Sequence, residues 1–377
     1  MTEEFDIAII GGGLAGLSLS IQCADAGYKT ILFEKETYPF HKVCGEYISN
    51  ESLPFLEKLG VPISTWGLPS INELKISAPN GKSYEFSLPL GGFGISRFKL
   101  DEYLYRIATD KGVTFFTDTK VQSIAFKTNR FEIITDNGIY NSRIAAGSFG
   151  KKSNLDIHLS RRFAKEKPNA LNNFIGVKYH IRYPHSRNQI ALHNFDNGYC
   201  GIEEIENGDC CLCYLTTAEN LRKSGNTIPE MEEQILWKNP FLKDIFNNAV
   251  FIYKKPLTIS QISFQKKSQI EEHILCVGDA AGMITPLCGN GMSMALHGSK
   301  IAFQNIDYYF KNGQNRSVLE SNYERQWKKQ FAKRIFVGRT IQRLFGKDYV
   351  TNLFLQFMQY FPTLSRKLIN TTHGKPF

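Results

Sequence analysis

No stretch of this 377-residue sequence comes near the ~18 consecutive apolar residues that a membrane-spanning helix requires. The opening Met1-Thr-Glu-Glu-Phe-Asp6 runs straight into an apolar segment and shows no secretory signal, so a cytoplasmic protein is expected. Cysteine is too thinly spread for a disulfide framework: eight in a chain this long point to reduced thiols rather than staples. No internal repeat, low-complexity tract or obvious linker interrupts the chain. Nucleic acid is not an expected partner, because the basic residues are scattered and no nucleic-acid module is visible. Cys210-Cys211-Leu212-Cys213 is not read as a metal site, since closed zinc sites use paired short spacings and no second pair exists. In a strand, Cys211 and Cys213 would share one face while Cys210 points the other way.

What is present suits a globular protein of one large domain or two joined ones. A hydrophobic content of 42% allows a full core without help from disulfides or metals. The net charge of +9 suggests anionic partners, such as NAD(P)H phosphates or a membrane surface.

Phe5-Asp-Ile-Ala-Ile-Ile10 has the β-branched, apolar profile of a buried parallel strand. A glycine turn follows, then Leu14, Leu17, Ser18 and Ile21 at helical spacing, with Gly27 placed to end the helix. Lys29–Glu34 is a second strand that finishes on an acid. Residues 53–90 read as short strands with turns, Pro79-Asn80-Gly81 among them. Leu100–Ala108 is an amphipathic helix. Strands follow at 113–116, 121–126 and 131–135, with a tight turn at Asp136-Asn137-Gly138. Residues 170–262 read mostly as strands, notably 175–179, 209–217 and 249–253. Ile274–Val277 is another buried strand, and the chain is helical after Met292.

Gly11-x-Gly13-x-x-Gly16 sits between the first strand and its helix. Gly11 permits the tight turn, Gly13 lets backbone approach a pyrophosphate, and Gly16 lets helix and strand pack closely. Phosphates there would meet free N–H groups at a helix N-terminus. Glu34 is placed to take both hydroxyls of an adenosine ribose. Far downstream, Gly278-Asp279-Ala-Ala-Gly282 continues to Thr285-Pro286-Leu-Cys-Gly289-Asn-Gly291-Met292. Asp279, just after a buried strand, suits a polyol hydroxyl. Gly289 and Gly291 open a helix whose dipole would stabilise negative charge on a reduced flavin. A nicotinamide dehydrogenase has no use for this second site, whereas FAD is long enough to need both.

These motifs, with Gly94-Ile-Ser-Arg97-Phe-Lys-Leu-Asp101-Glu-Tyr-Leu104 between them, resemble the para-hydroxybenzoate-hydroxylase-type FAD-dependent oxidoreductases. Pro39-Phe-His-Lys-Val-Cys44-Gly45-Glu46 is most similar to the geranylgeranyl-reductase-like branch and its relatives among polyketide-tailoring hydroxylases. The resemblance implies an α/β fold: a Rossmann-like FAD-binding domain of discontinuous segments, an inserted mixed β-sheet substrate domain, and C-terminal helices. The expected division is 1–60, 92–153 and 264–310 for FAD, 61–91 and 154–263 for substrate, and 311–377 for the helical region. It also implies that Arg97 contacts the FAD phosphate or ribityl region, Lys35 the adenosine side, Val121 the adenine through its backbone, and Asp279 the ribityl chain. Ala15, Gly45, Pro286 and Met292 complete the expected cofactor-binding set. Cys44 would lie near the isoalloxazine, as a proton donor or as a small apolar residue lining the pocket.

Two features depart from the superfamily pattern. A third motif that usually carries an Asp-Gly pair corresponds to Ala145-Ala146-Gly147-Ser-Phe-Gly-Lys151-Lys152-Ser153, without the acid; Lys151 and Lys152 offer phosphate contacts instead. The Tyr-x-Trp-x-Phe-Pro signature of geranylgeranyl reductases has its nearest match in Gly198-Tyr199-Cys-Gly-Ile-Glu203, lacking Trp and Pro. The Trp-x-Trp signature of flavin halogenases is absent too. His41, His193 and His297 have no sequence partner that would orient them as acid–base groups.

The leading expectation is an NAD(P)H-reduced monooxygenase that hydroxylates a bulky hydrophobic, aromatic or polyketide-like substrate. Reduction of carbon–carbon double bonds in an isoprenoid lipid and non-catalytic flavin binding are the alternatives. The C-terminal region, with Lys328, Lys329, Lys333, Arg334 and Arg339 and an apolar Leu353–Phe361, is expected to pack on the sheet domain. The alternative is peripheral contact with an anionic membrane.

Overall fold

The structure is a computed structural model that describes residues 4–167, 169 and 172–377. Its first sheet has eight strands. Ile270–Glu271, Ile274–Cys276, Ile139–Gly147, Glu4–Ile10, Thr30–Phe33 and Thr114–Phe116 lie side by side in that order. All neighbours here run parallel except the edge pair 270–271 and 274–276. The hairpin Val121–Lys127 and Arg130–Thr135 attaches to Ile139–Gly147. Successive residues of Glu4–Ile10 point to opposite sides of the sheet. Ile7 and Ile9 enter the core under the long helices, while Ala8 and Ile10 enter the core on the hairpin side. Burial on both faces explains why this strand reads as a continuous apolar run.

Helices Leu14–Asp25, Arg97–Asp110 and Gly291–Asn312 cover one face of this sheet. The first and last approach closely enough for a Ser18 Oγ to Ser299 Oγ hydrogen bond of 2.7 Å.

The second sheet has nine strands and is mixed. Its order is Val250–Phe251, Phe174–Arg182, Cys210–Thr217, Gly198–Glu204, Gln189–Phe195, Ser70–Ser77, Ser83–Gly94 and Tyr47–Ser49, with Leu257–Ile262 also paired to Phe174–Arg182. Tyr47–Ser49 pairs with the end of Ser83–Gly94, so part of the 1–60 segment belongs to this sheet. The expected border at 91/92 falls inside the strand Ser83–Gly94, which runs unbroken across it.

The reading of 170–262 as mostly strands needs correction. Residues 170 and 171 lie outside the described set, and much of 218–248 is helical: Ala218–Lys223, Ile228–Gln234 and Pro240–Asn248. Thr227 and Asn239 cap the last two, accepting from the Glu230 and Phe241 N–H groups, and each helix has proline in its first turn. Met231, Leu242 and Ile245 anchor them on the sheet. Only Val250–Phe251 of the expected strand 249–253 pairs. Residues 53–58 also form a helix, ahead of the two long strands that replace the expected short ones.

The chain ends in helices Arg316–Gln342, Asp348–Tyr360 and Pro362–Thr372. The first packs on the parallel-sheet domain rather than on the mixed sheet. Tyr323, Trp327, Phe331 and Ile335 join that core, and Tyr323 Oη donates to Cys276 O at 2.6 Å. Ile341, Phe345, Phe354 and Leu355 then turn to the mixed sheet.

Candidate active site

The glycine turn is built as the spacing requires. Gly11 has φ +105°, and a Cβ there would collide with Ser148. A Cβ on Gly16 would meet Gly11 O and Ser148 Oγ, so only glycine lets the helix start this close to the strand. Glu34 is buried and accepts the Gly12 N–H at 2.8 Å and the Glu36 N–H at 3.2 Å. A Cβ on Gly13 would have only the Arg97 Nη2 and Lys42 Nζ atoms nearby, at 3.6 and 3.7 Å. Two cations therefore flank the backbone at a helix N-terminus, the arrangement a pyrophosphate needs.

Asp101, one turn along the Arg97–Asp110 helix, holds both cations. It accepts Arg97 Nε and Nη2 at 2.8 and 2.7 Å and Lys42 Nζ at 3.0 Å. Burial alone would raise its carboxyl, but these charges hold it below the usual carboxylate range. The Cys44 side chain lies near the Arg97 guanidinium, which puts that cysteine beside the phosphate cradle.

Gly278 has φ +64° and rests against Ala15 and Ala295, so the two distant motifs meet. Gly278, Asp279, Gly291, Met294 and Trp327 line a shallow cleft. A Cβ on Gly45 or Gly291 would meet nothing within 4 Å, so a flat ring can approach the backbone at both. Lys267 Nζ supports this loop by donating to Asp279 O and Lys151 O, both at 2.9 Å. Burial pushes its amine down to about 8, against the pull of Asp156 and Asp279.

These residues fit FAD: cations and a helix start for the pyrophosphate, Glu34 for the ribose, Asp279 for the ribityl chain, and open backbone for the ring. Met292 is buried in the core, and Val121 O accepts Asn154 Nδ2 at 3.2 Å. Lys35 is exposed and paired with Glu36 at 3.5 Å, so it is not drawn to the turn. In the third motif, Ser148 Oγ donates to Gly11 O at 2.6 Å, placing a hydroxyl against the glycine turn. Lys151 Nζ bonds Val43 O at 3.1 Å, and Lys152 bonds Gln261.

A polar cluster lies between the two sheets. Glu46 is buried at φ +58°, and its carboxylate accepts the Arg97 N–H at 2.7 Å and Lys178 Nζ, and pairs with His180 Nε2 at 2.7 Å. Burial works against this charge, but Lys178 and His180 hold Glu46 below its ordinary range. His41 sits edge-on to His180 and bonds Tyr253 at 2.9 Å. Cys211, out of the cysteine triplet, gathers with Glu46 and His180 so that their ligand atoms lie within 4.8 Å of one another. The Lys178 ammonium already supplies the cation at that carboxylate. His193 and His297 are elsewhere: burial pushes them down to about 3 and about 4, and they stack on Phe241 and Phe377.

Pro286–Gly289 also walls a second, apolar cavity with about 730 Å³ of empty space, its open mouth included. Leu74, Ile76 and Leu192 of the mixed sheet line it together with Phe345 of the turn after Gln342 and Phe354 and Met358 of the helix Asp348–Tyr360, and no Asp, Glu, Lys or Arg among the described residues lines it. Tyr47 lines it too, and its buried hydroxyl has no hydrogen-bond partner among the described residues.

Residues 8–174 match the family model described as pyridine nucleotide-disulphide oxidoreductase. The chain is an FAD-dependent oxidoreductase. Among curated proteins this flavoenzyme is 24% identical to conditioned medium factor receptor 1 of Dictyostelium discoideum, over 89% of this chain and 70% of that one. It is 23% identical to digeranylgeranylglycerophospholipid reductase of Methanocaldococcus jannaschii, over 88% and 84%. Its fold is shared by the flavin-dependent brominase Bmp2, at TM-score 0.79 and 17% identity over 98% and 93% of the two chains. It is shared too by pqsL of Pseudomonas aeruginosa, "a probable FAD-dependent monooxygenase", at TM-score 0.72 and 13% identity over 92% and 98%.

Lys42, Glu46, Asp101, Lys178, His180, Lys267 and Tyr47 were not singled out from sequence. The first three lie inside segments that carry the resemblance. Lys178 and His180 left one signal: with Arg182 they are polar residues recurring on one face of the strand Phe174–Arg182.

Proposed function

We propose that this enzyme reduces a carbon–carbon double bond of a bulky, lipid-like substrate lying in the cavity beside Pro286–Gly289. The cavity lining carries the reading: its walls are mostly apolar, and no Asp, Glu, Lys or Arg among the described residues lines it to recognise an ionic substrate. FAD, when bound, supplies a hydride for one alkene carbon, and the other carbon takes a proton. Tyr47 is the proposed proton donor, because its hydroxyl is buried at the cavity wall with no hydrogen-bond partner among the described residues. Similarity to a digeranylgeranylglycerophospholipid reductase over most of both chains supports the same reading. NAD(P)H is the proposed source of the electrons.

The second reading is an NAD(P)H-reduced monooxygenase acting on an aromatic or polyketide-like substrate, favoured by the fold shared with pqsL. Anaerobic incubation of the NADPH- or NADH-reduced holoenzyme with a geranylgeranyl lipid separates the two. A product heavier by two hydrogens supports the reductase. Product only in air, gaining one oxygen atom with matched oxygen uptake, sinks it in favour of the monooxygenase.

A further inference from the structure

Lysine and arginine occur throughout the chain, but their excess does not. Residues 313–377 hold twelve of them against three Asp and Glu, a surplus of nine that equals that of the whole protein. The preceding 312 residues are balanced, so the scattered basic character read from the sequence is in fact a strongly polar distribution of charge.

The same segment exposes its apolar side chains. Of the thirteen large hydrophobic residues exposed among the described residues, seven lie between 336 and 364. Tyr349, Leu353, Phe357 and Tyr360 recur at helical spacing on the outer face of Asp348–Tyr360, with Tyr349 80% and Tyr360 79% exposed. The opposite face of that helix carries Phe354 and Met358 into the apolar cavity. Phe361 continues the outer stripe, its ring 4.9 Å from Phe357. Phe336 is 71% exposed, and Arg343, two turns on, is exposed as well. Lys347, just before the helix Asp348–Tyr360, and Arg366 and Lys367, midway along Pro362–Thr372, are exposed.

We propose that this face docks on the surface of an anionic lipid bilayer, with the aromatic and leucine side chains among the acyl chains and the surrounding cations against the headgroups. No helix among the described residues is long and apolar enough to cross a membrane, so the contact is peripheral. Only two short helices separate the bilayer from the cavity, which gives a water-insoluble substrate a path that avoids solvent. That path rests on the proposed function; the docking does not.

The test is flotation of the FAD-loaded protein with vesicles of equal parts phosphatidylcholine and phosphatidylglycerol, and with phosphatidylcholine alone, at about 0.15 M salt. Binding to the anionic vesicles should be roughly tenfold stronger and weaken as salt is raised. Leu353→Glu/Phe357→Glu should abolish it, and Arg343→Glu/Lys347→Glu should reduce it roughly tenfold, with flavin absorbance and melting temperature unchanged. If the first variant unfolds, the charge-reversal pair, wholly on exposed positions, still decides. Equal partition onto both vesicles, no binding to either, or a dimer that Leu353→Glu dissolves would overturn the proposal. Vesicle binding with no alkene reduction would reject the proposed reaction and leave the docking standing.

Discussion

Asp101 is the residue on which the phosphate cradle depends. It is buried, bidentate to Arg97 and bonded to Lys42, so neither cation is free to drift from Gly13. Asp101→Asn should lower stability by about 3 kcal/mol, the scale for removing one partner of a buried ion pair, and weaken FAD binding in a fluorescence titration. Arg97→Met should weaken FAD binding by about 2 kcal/mol, since a charge-assisted bond to phosphate is lost, and should also lower the melting temperature, because buried Asp101 loses its bidentate partner. Tyr47→Phe removes one hydroxyl without emptying space. We expect turnover to fall about a hundredfold or more with flavin content unchanged, measured by anaerobic product formation. Arg97 and Asp279 were singled out from sequence because they lie in the segments that carry the resemblance. Asp101 was quoted in the same segment and passed over, because its partner Lys42 lies about sixty residues away and only the fold brings them together.

At the scale of elements, the helices between 218 and 248 show why strands were overread. Their capping signals, Thr227 before Pro229 and Asn239 before Pro240, were in the sequence, but two of the three helices are under eight residues long and too short for a clear period. The parallel strands were readable because burial on both faces leaves an unbroken apolar run. The helix Ile228–Gln234 is fastened to the mixed sheet by Glu232, whose carboxylate accepts the Tyr179 and Tyr214 hydroxyls at 2.8 Å each. Burial raises this carboxyl to about 7 despite those bonds. The folded protein therefore holds a proton there that the unfolded chain releases above about 4.5. Its contribution is fully present below that pH and is lost as pH rises through about 7. Denaturant melts at pH 5 and pH 8 should differ by about 3 kcal/mol from this group. Glu232→Gln should flatten the difference, and an unchanged pH dependence in that variant would refute the assignment.

Across the whole molecule, the sequence conveyed the two-motif nucleotide domain and the inserted sheet, and it missed how tightly they are laced. The expected borders at 60/61 and 91/92 divide segments that the sheets do not divide, since Tyr47–Ser49 and the strand Ser83–Gly94 pair with each other. A border set by motif spacing has no access to strand pairing, which depends on partners distant in the chain. Glu46 adds a second lace. One carboxylate takes the first N–H of the Arg97–Asp110 helix, which belongs to the nucleotide domain, and also Lys178 and His180 from the mixed sheet. A perturbation of either sheet must therefore be felt at the same two oxygen atoms. The consequence is thermodynamic: the two sheets should melt as one cooperative unit, giving a single calorimetric peak whose enthalpy matches the van't Hoff value. Glu46→Gln should uncouple them, so that the mixed sheet opens first while the nucleotide domain keeps its flavin.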